Sequence, residues 1–233
     1  TPQGSTYAAT KEEFVTGVPL NVTDGVIGKD GNFYFAVGGR GTNSALYRVS
    51  YRGNAPTELA NGSNKLGWTE RNIRHELEKF HGRVDSKAVD AAWPSLGHND
   101  RFIRYAARTA IEHQPVSEWR ERALNEPNPQ ARLTALLALA RQGEKSDQPA
   151  LLNQLSRLPI ADMPEAQQLE AHRVLSLCFI RMGRPAPELA KAFTEAILPY
   201  YPAATDALNR EFVAMLVYLN APEVVARTVP LLD

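Results

Sequence analysis

From residue 69 to residue 232, apolar side chains recur at spacings of three and four, and short runs of Pro, Gly and Asn interrupt them. That pattern predicts ten helical segments, at roughly 69–81, 86–96, 100–113, 116–125, 129–142, 147–157, 164–182, 187–198, 205–219 and 222–232. The breaks include Gly82, Pro115, Pro127-Asn128-Pro129, Gly143, Gly183-Arg184-Pro185 and Ala221-Pro222. Proline early in a helix and glycine just past its end is the asymmetry that helix termini favour. Paired consecutively, the segments make five helical hairpins of about 30 to 40 residues, the period of an α-solenoid.

The first fifty residues read differently. Four short strands are predicted, at Glu13–Thr16, Gly25–Gly28, Phe33–Val37 and Ala45–Tyr51. Lys29-Asp30-Gly31-Asn32 separates the second from the third, and Asp-Gly supplies the positive φ that a tight antiparallel hairpin needs. In the fourth, Leu46, Arg48 and Ser50 alternate with Tyr47, Val49 and Tyr51, the period of a half-buried strand. Composition shifts at the same place: ten of the 15 glycines lie at or before Gly62, whereas only Leu20, Leu46 and Leu59 precede residue 65. The expected fold is α+β, mainly α. A short antiparallel, propeller-blade-like sheet over 1–52 and a linker over 53–66 precede a HEAT-like α-solenoid of about five helix pairs over 67–233. One blade has two bare edges and little core, so either further blades belong to it or it leans on the helices. The first is the expectation, and a homodimer through a blade edge is conceivable.

Three segments share a local pattern. Asp100 precedes Arg104 by four residues, with Ile103, Ala106 and Ala107 on one stripe; Asn128 stands likewise before Arg132; Asn209-Arg210-Glu211-Phe212 is a fainter third copy. A polar cap meeting an arginine on the next turn, with small alanines where helices cross, would suit stacked repeats.

Residues Val22 to Gly41, with Asp24-Gly25-Val26-Ile27-Gly28-Lys29-Asp30-Gly31-Asn32 and Gly38-Gly39-Arg40-Gly41, resemble the last blade of sugar- and sorbosone-dehydrogenase-like propellers. Asp100–Ala107 and Asn220–Thr228 are similar to the HEAT-like helices that follow the propeller in large secreted bacterial proteins of planctomycete type. The resemblance implies a fragment of a secreted multidomain protein, periplasmic or extracellular, whose parent carries a c-type haem domain. It further implies a quinone-dependent sugar or alcohol dehydrogenase-like oxidoreductase as an alternative role for that parent. The chain departs from the family in having one blade and no Cys-x-x-Cys-His; Cys178 is followed by Phe179-Ile180-Arg181. No cofactor is therefore expected in this chain.

Charge narrows the function. With 26 Lys+Arg against 26 Asp+Glu the net charge is +0, which speaks against a nucleic-acid partner. No apolar run approaches the ~18 residues of a membrane span. Residue 1 is Thr and no signal peptide opens the chain, as in an excised piece. Two residues are candidate cofactor-binding positions: Arg40, whose flanking glycines would let backbone approach a carboxylate or quinone oxygen, and Asp24 before the second strand. Against these stand a solvated hairpin arginine and a turn-capping aspartate. His75, His81, His98, His113 and His172 lack the i, i+4 spacing of a helical metal pair, so surface or helix-end roles are expected and no metal or catalytic residue is assigned. Trp68, Trp93, Trp119 and Tyr200-Tyr201 read as packing, Cys178 as a buried small apolar residue, and Asn21-Val22-Thr23 and Asn61-Gly62-Ser63 as chance sequons. The expected function is a non-catalytic binding or scaffolding module whose partner is another protein or another domain of the parent.

Overall fold

The computed structural model describes residues 1–56 and 65–231. The linker stretch 57–64 with its Asn61-Gly62-Ser63 triplet, and the end of the last helical segment at 232, lie outside the described residues. The chain divides into two units, one of Thr1 and Ala8–Lys65, the other of Pro2–Tyr7 and Leu66–Asp233. Five strands are described: β1 (Pro2–Gln3), β2 (Thr6–Tyr7), β3 (Val22–Ile27), β4 (Phe33–Val37) and β5 (Ala45–Val49).

In the first unit β3, β4 and β5 form an antiparallel sheet in that order. The Asp-Gly turn works as its residue types predict. Gly31 takes φ 75°, its N–H donating to the Gly28 carbonyl at 3.0 Å. Asp30 accepts from the Asn32 side chain, the Tyr34 hydroxyl and the Asn32 N–H, which together lower its pKa to about 2. The expected strand at Glu13–Thr16 does not form. Lys11-Glu12-Glu13 and Gly17 leave it too short an apolar run, and it meets the sheet through a ring instead of a ladder. Phe14 lies edge-on to Phe33 at 6.3 Å, extending a row in which Phe33 stacks on Phe35 at 5.7 Å and Phe35 on Tyr47 at 5.1 Å. Only Phe35 and Val37 are buried among the described residues of this unit, so the alternation along β5 leaves both Leu46 and Tyr47 exposed, Leu46 the more so.

The second unit carries α1 (Trp68–Glu78), α2 (Ala88–Ala92), α3 (Arg101–Glu112), α4 (Arg120–Leu124), α5 (Pro129–Gln142), α6 (Gln148–Ser156), α7 (Glu165–Met182), α8 (Pro187–Ile197), α9 (Asp206–Tyr218) and α10 (Val224–Thr228). Several of these continue into, or follow, single 3₁₀ turns. Packing follows two series: α1 on α3, α3 on α5, α5 on α7 and α7 on α9, while α4 meets α6 and α6 meets α8. One apolar core runs from Leu77 to Val224 between the two layers. Ala106, Ala107, Ala110, Ala135, Ala138 and Ala140 are essentially fully buried in it, and their small side chains let α3 and α5 approach their neighbours closely.

Asp100 and Asn128 are N-caps, but the arginine four residues on does not meet the cap, whose oxygen is already taken by helix N–H groups. It reaches back to the carbonyls before the cap. Arg104 donates to His98 and Asn99 at 2.8 and 3.1 Å, and Arg132 to Glu126 at 2.6 Å. The same bracket closes the other helices of this layer. Arg71 donates to Leu66, Gln168 to Met163 and Asn209 Nδ2 to Ala203, each four residues past its cap at Gly67, Pro164 or Thr205. The third sequence copy is therefore out of register: its cap is Thr205, and Asn209 holds the place of the arginine.

Residues 2–7, expected within the 1–52 blade but not as strands, form the β1–β2 hairpin and belong to the helical unit. Asp100 Oδ1 caps α3, while its Oδ2 accepts the Ser5 N–H at 2.7 Å. Burial opposes ionisation of this carboxylate, but the Ser5 and Phe102 N–H groups outweigh it and hold the pKa below its ordinary value. Gly4 (φ 53°) and Gly67 (φ 66°) have no room for a Cβ, which would strike Asp100 in the first case and the Gly4 carbonyl in the second. Asp100→Ala is expected to cost about 1–2 kcal/mol in urea unfolding. It should also release residues 2–7 to fast hydrogen exchange, whereas Asp100→Asn, which keeps a capping oxygen, should retain most of both. Unchanged protection of 2–7 in the alanine variant would show that the hairpin is held by something else.

Candidate functional site

Neither candidate cofactor-binding residue has gathered a site around it. Arg40 lies exposed in the turn between β4 and β5, beside Gly41 at φ 81°, and makes no hydrogen bond or ion pair among the described residues. Asp24 is exposed on β3, its carboxylate accepting from the adjacent Gly25 N–H at 2.8 Å.

The histidines divide by environment. His81 Nε2 donates to the Ala106 carbonyl at 2.8 Å, and His98 Nδ1 accepts from the Asp100 N–H at 2.9 Å. His98 thus sits at the start of α3, whereas His81, just past α1, ties to the middle of α3. His172 takes neither the surface nor the helix-end role expected of it, since it is buried within α7. Among the described residues no group of three or more His, Cys, Asp or Glu is placed to hold a metal ion. No described helix is long and apolar enough to cross a membrane. Cys178 is fully buried and burial pushes its thiol up to about 12, so it stays protonated. Trp93, Trp119 and Tyr201 are core, but Trp68 and Tyr200 are more than half exposed.

Two features of the helical unit have the form of a site. The first is a groove of about 410 Å³ across α3, α5 and α7. Its α3 wall presents Arg101, Phe102, Arg104, Tyr105 and Arg108, positions that successive turns bring to one side of a helix. The arginines are held differently. The Arg101 guanidinium lies 4.9 Å from the centre of the Phe102 ring and has no carboxylate partner among the described residues. Arg104 pairs with Glu170 of α7 at 3.0 Å, and the other Glu170 oxygen accepts from Gln130 of α5 at 2.6 Å. Arg108 lies 5.1 Å from the Tyr105 ring centre and pairs with Glu112 at 2.6 Å; Arg141 meets the same carboxylate at 2.8 Å. The Glu112 side chain is only 6% exposed, so these two arginines are fixed and Tyr105, 59% exposed, stands against a rigid support. The groove thus presents an exposed aromatic backed by fixed arginines, with one guanidinium free of any carboxylate among the described residues.

The second feature is a more enclosed cavity of about 430 Å³ between the end of α6, the turn Ile160–Asp162, α7, α8 and α9. Leu158, Leu175, Phe193, Ile197, Leu208 and Phe212 line it, together with the polar side chains of Ser156, Asp162, Gln168 and Tyr200. His172 also lines it, 3% exposed, with its ring set edge-on to Phe212 at 4.4 Å between centres. Neither ring nitrogen has a hydrogen-bond partner. Desolvation lowers its pKa to about 4, so at neutral pH the imidazole is uncharged. A sequence signal for this burial exists: His172 stands three residues before Leu175 and seven before Phe179, on the apolar stripe of α7.

The chain matches no protein-family model, no curated protein and no solved structure, so its function is read from these two features.

Proposed function

We propose that the chain is a non-catalytic binding or scaffolding module of a larger secreted protein, and that its helices form a HEAT-like solenoid that docks a partner along the α3–α5–α7 face. The observation that carries this reading is Tyr105, exposed between arginines that buried or shared carboxylates hold in place. Such a side chain is immobilised before binding and loses little conformational freedom on contact. The stepwise packing of α1, α3, α5, α7 and α9 and the backbone bracket repeated at their starts support a repeat architecture. The partner is another protein or a neighbouring domain, and the groove favours a segment that offers a carboxylate to Arg101 beside a large apolar side chain.

Selection of peptides from a random displayed library tests this. Acidic peptides with an aromatic or aliphatic anchor should be enriched on the wild-type protein. Tyr105→Ala and Arg101→Ala should each weaken them about tenfold or more while leaving the melting temperature nearly unchanged. Enrichment of peptides indifferent to both substitutions would place the docking surface elsewhere.

A further inference from the structure

The His172 cavity asks for something that a core position does not. Among α7 residues facing inward, Ala171, Val174, Leu175, Cys178 and Phe179 are apolar or nearly so, and a leucine or phenylalanine at 172 would fill the same space. An imidazole there leaves two polar atoms desolvated without compensation, which is unfavourable unless something else meets them. The space to hold that something is adjacent. At about 430 Å³ the cavity is nearly three times the roughly 150 Å³ hollow that admits benzene, and it falls within the size range of small-molecule sites.

We infer that this cavity is a binding site for a small, neutral, largely apolar molecule bearing one hydroxyl, such as an alkylphenol, with the hydroxyl hydrogen-bonded to His172. A neutral imidazole presents one N–H donor and one bare nitrogen acceptor, and a hydroxyl can engage either. The apolar wall suits a ring with a short alkyl tail. An anionic head group finds no cation among the lining residues and meets Asp162 instead. Both ring nitrogens are screened in this structure, so binding requires the imidazole to turn beside Phe212 about its broad χ2 torsion until a nitrogen faces the cavity. This site is independent of the α3–α5–α7 face and stands whether or not a protein docks there.

Titration of the full chain with 4-propylphenol and with propylbenzene, followed by calorimetry and ligand-observed NMR, tests the inference. The phenol should bind saturably to the wild-type protein and about tenfold more tightly than propylbenzene, the difference of one well-made hydrogen bond. His172→Leu should bring the two ligands to equal affinity. Ala196→Trp, a substitution at an exposed position on the cavity rim, should abolish binding of both without depending on how the histidine variant folds. No saturable phenol binding, equal affinities in the wild type, a phenol preference that survives His172→Leu, or binding untouched by Ala196→Trp would each overturn it.

Discussion

Trp119→Ala is expected to destabilise the helical unit by about 4 kcal/mol and to lower its melting midpoint by about 10 °C. Trp119 is fully buried where the turn Val116–Glu118 enters α4. Its indole N–H donates to the Gln114 carbonyl at 3.3 Å. Gln114 is itself a knot: its Nε2 donates to the carbonyls of Arg83 and Ala110 at 3.1 and 3.0 Å, and its Oε1 accepts the Asp85 N–H at 2.8 Å. Removing the indole opens a void beneath this junction and leaves a buried carbonyl without its donor. Trp119→Phe keeps much of the volume and should recover about half of the loss. Differential scanning calorimetry would measure the series, and an alanine variant melting within about 2 °C of the wild type would contradict the account.

The second large effect is a loss of stability in mild acid. In the folded state His172 has its pKa lowered to about 4 by desolvation, against an ordinary value of 6.5 for the exposed side chain of the unfolded chain. Below the higher value the unfolded chain takes up a proton that the folded one refuses. Stability is therefore fully present above about 6.5, falls as the pH drops towards 4 and levels off beneath it. At 1.36 kcal/mol per pH unit the total is about 3 kcal/mol. Asp162 and Tyr200 are the other titratable side chains lining the cavity. Asp30 and Asp100, whose pKa values are lowered from 3.8, surrender their contributions only at lower pH, so the window belongs largely to the histidine. Urea unfolding of wild type and His172→Leu from pH 7.5 to pH 4 would measure it. The leucine variant should be about 1–3 kcal/mol more stable at neutral pH and flatter across the window. Parallel pH profiles would mean that the proton is taken up elsewhere.

Much of the helical architecture was legible because Pro and Gly act locally. Asn128-Pro129 and Gly143 bracket α5 as their backbone preferences require, and each predicted helical segment has a helix or helical turn within it. At 13–16 the sequence is ambiguous, because ring packing on a neighbouring strand leaves the same aromatic and β-branched residues as ladder pairing does. The docking of residues 2–7 was invisible, since it depends on a second oxygen of Asp100 a hundred positions away. The backbone bracket was half legible: Arg104 and Arg132 share a residue type, but Gln168 and Asn209 perform the same bond with different side chains. Metal spacing says nothing of where a lone histidine lies; the burial of His172 is written only in its place on the apolar stripe of α7. The Tyr105 groove needed three helices distant in sequence to meet, and no spacing within any one of them announces that.

The bracket also bears on how such a chain can change over generations. Each tie runs from a helix to the carbonyls immediately ahead of it, so it travels intact with its own segment of gene. Duplicating or excising one hairpin would carry its start signal along and leave a single seam to be repacked. If the helices are repeats, as proposed above, gain or loss of one hairpin would leave these starts unaltered.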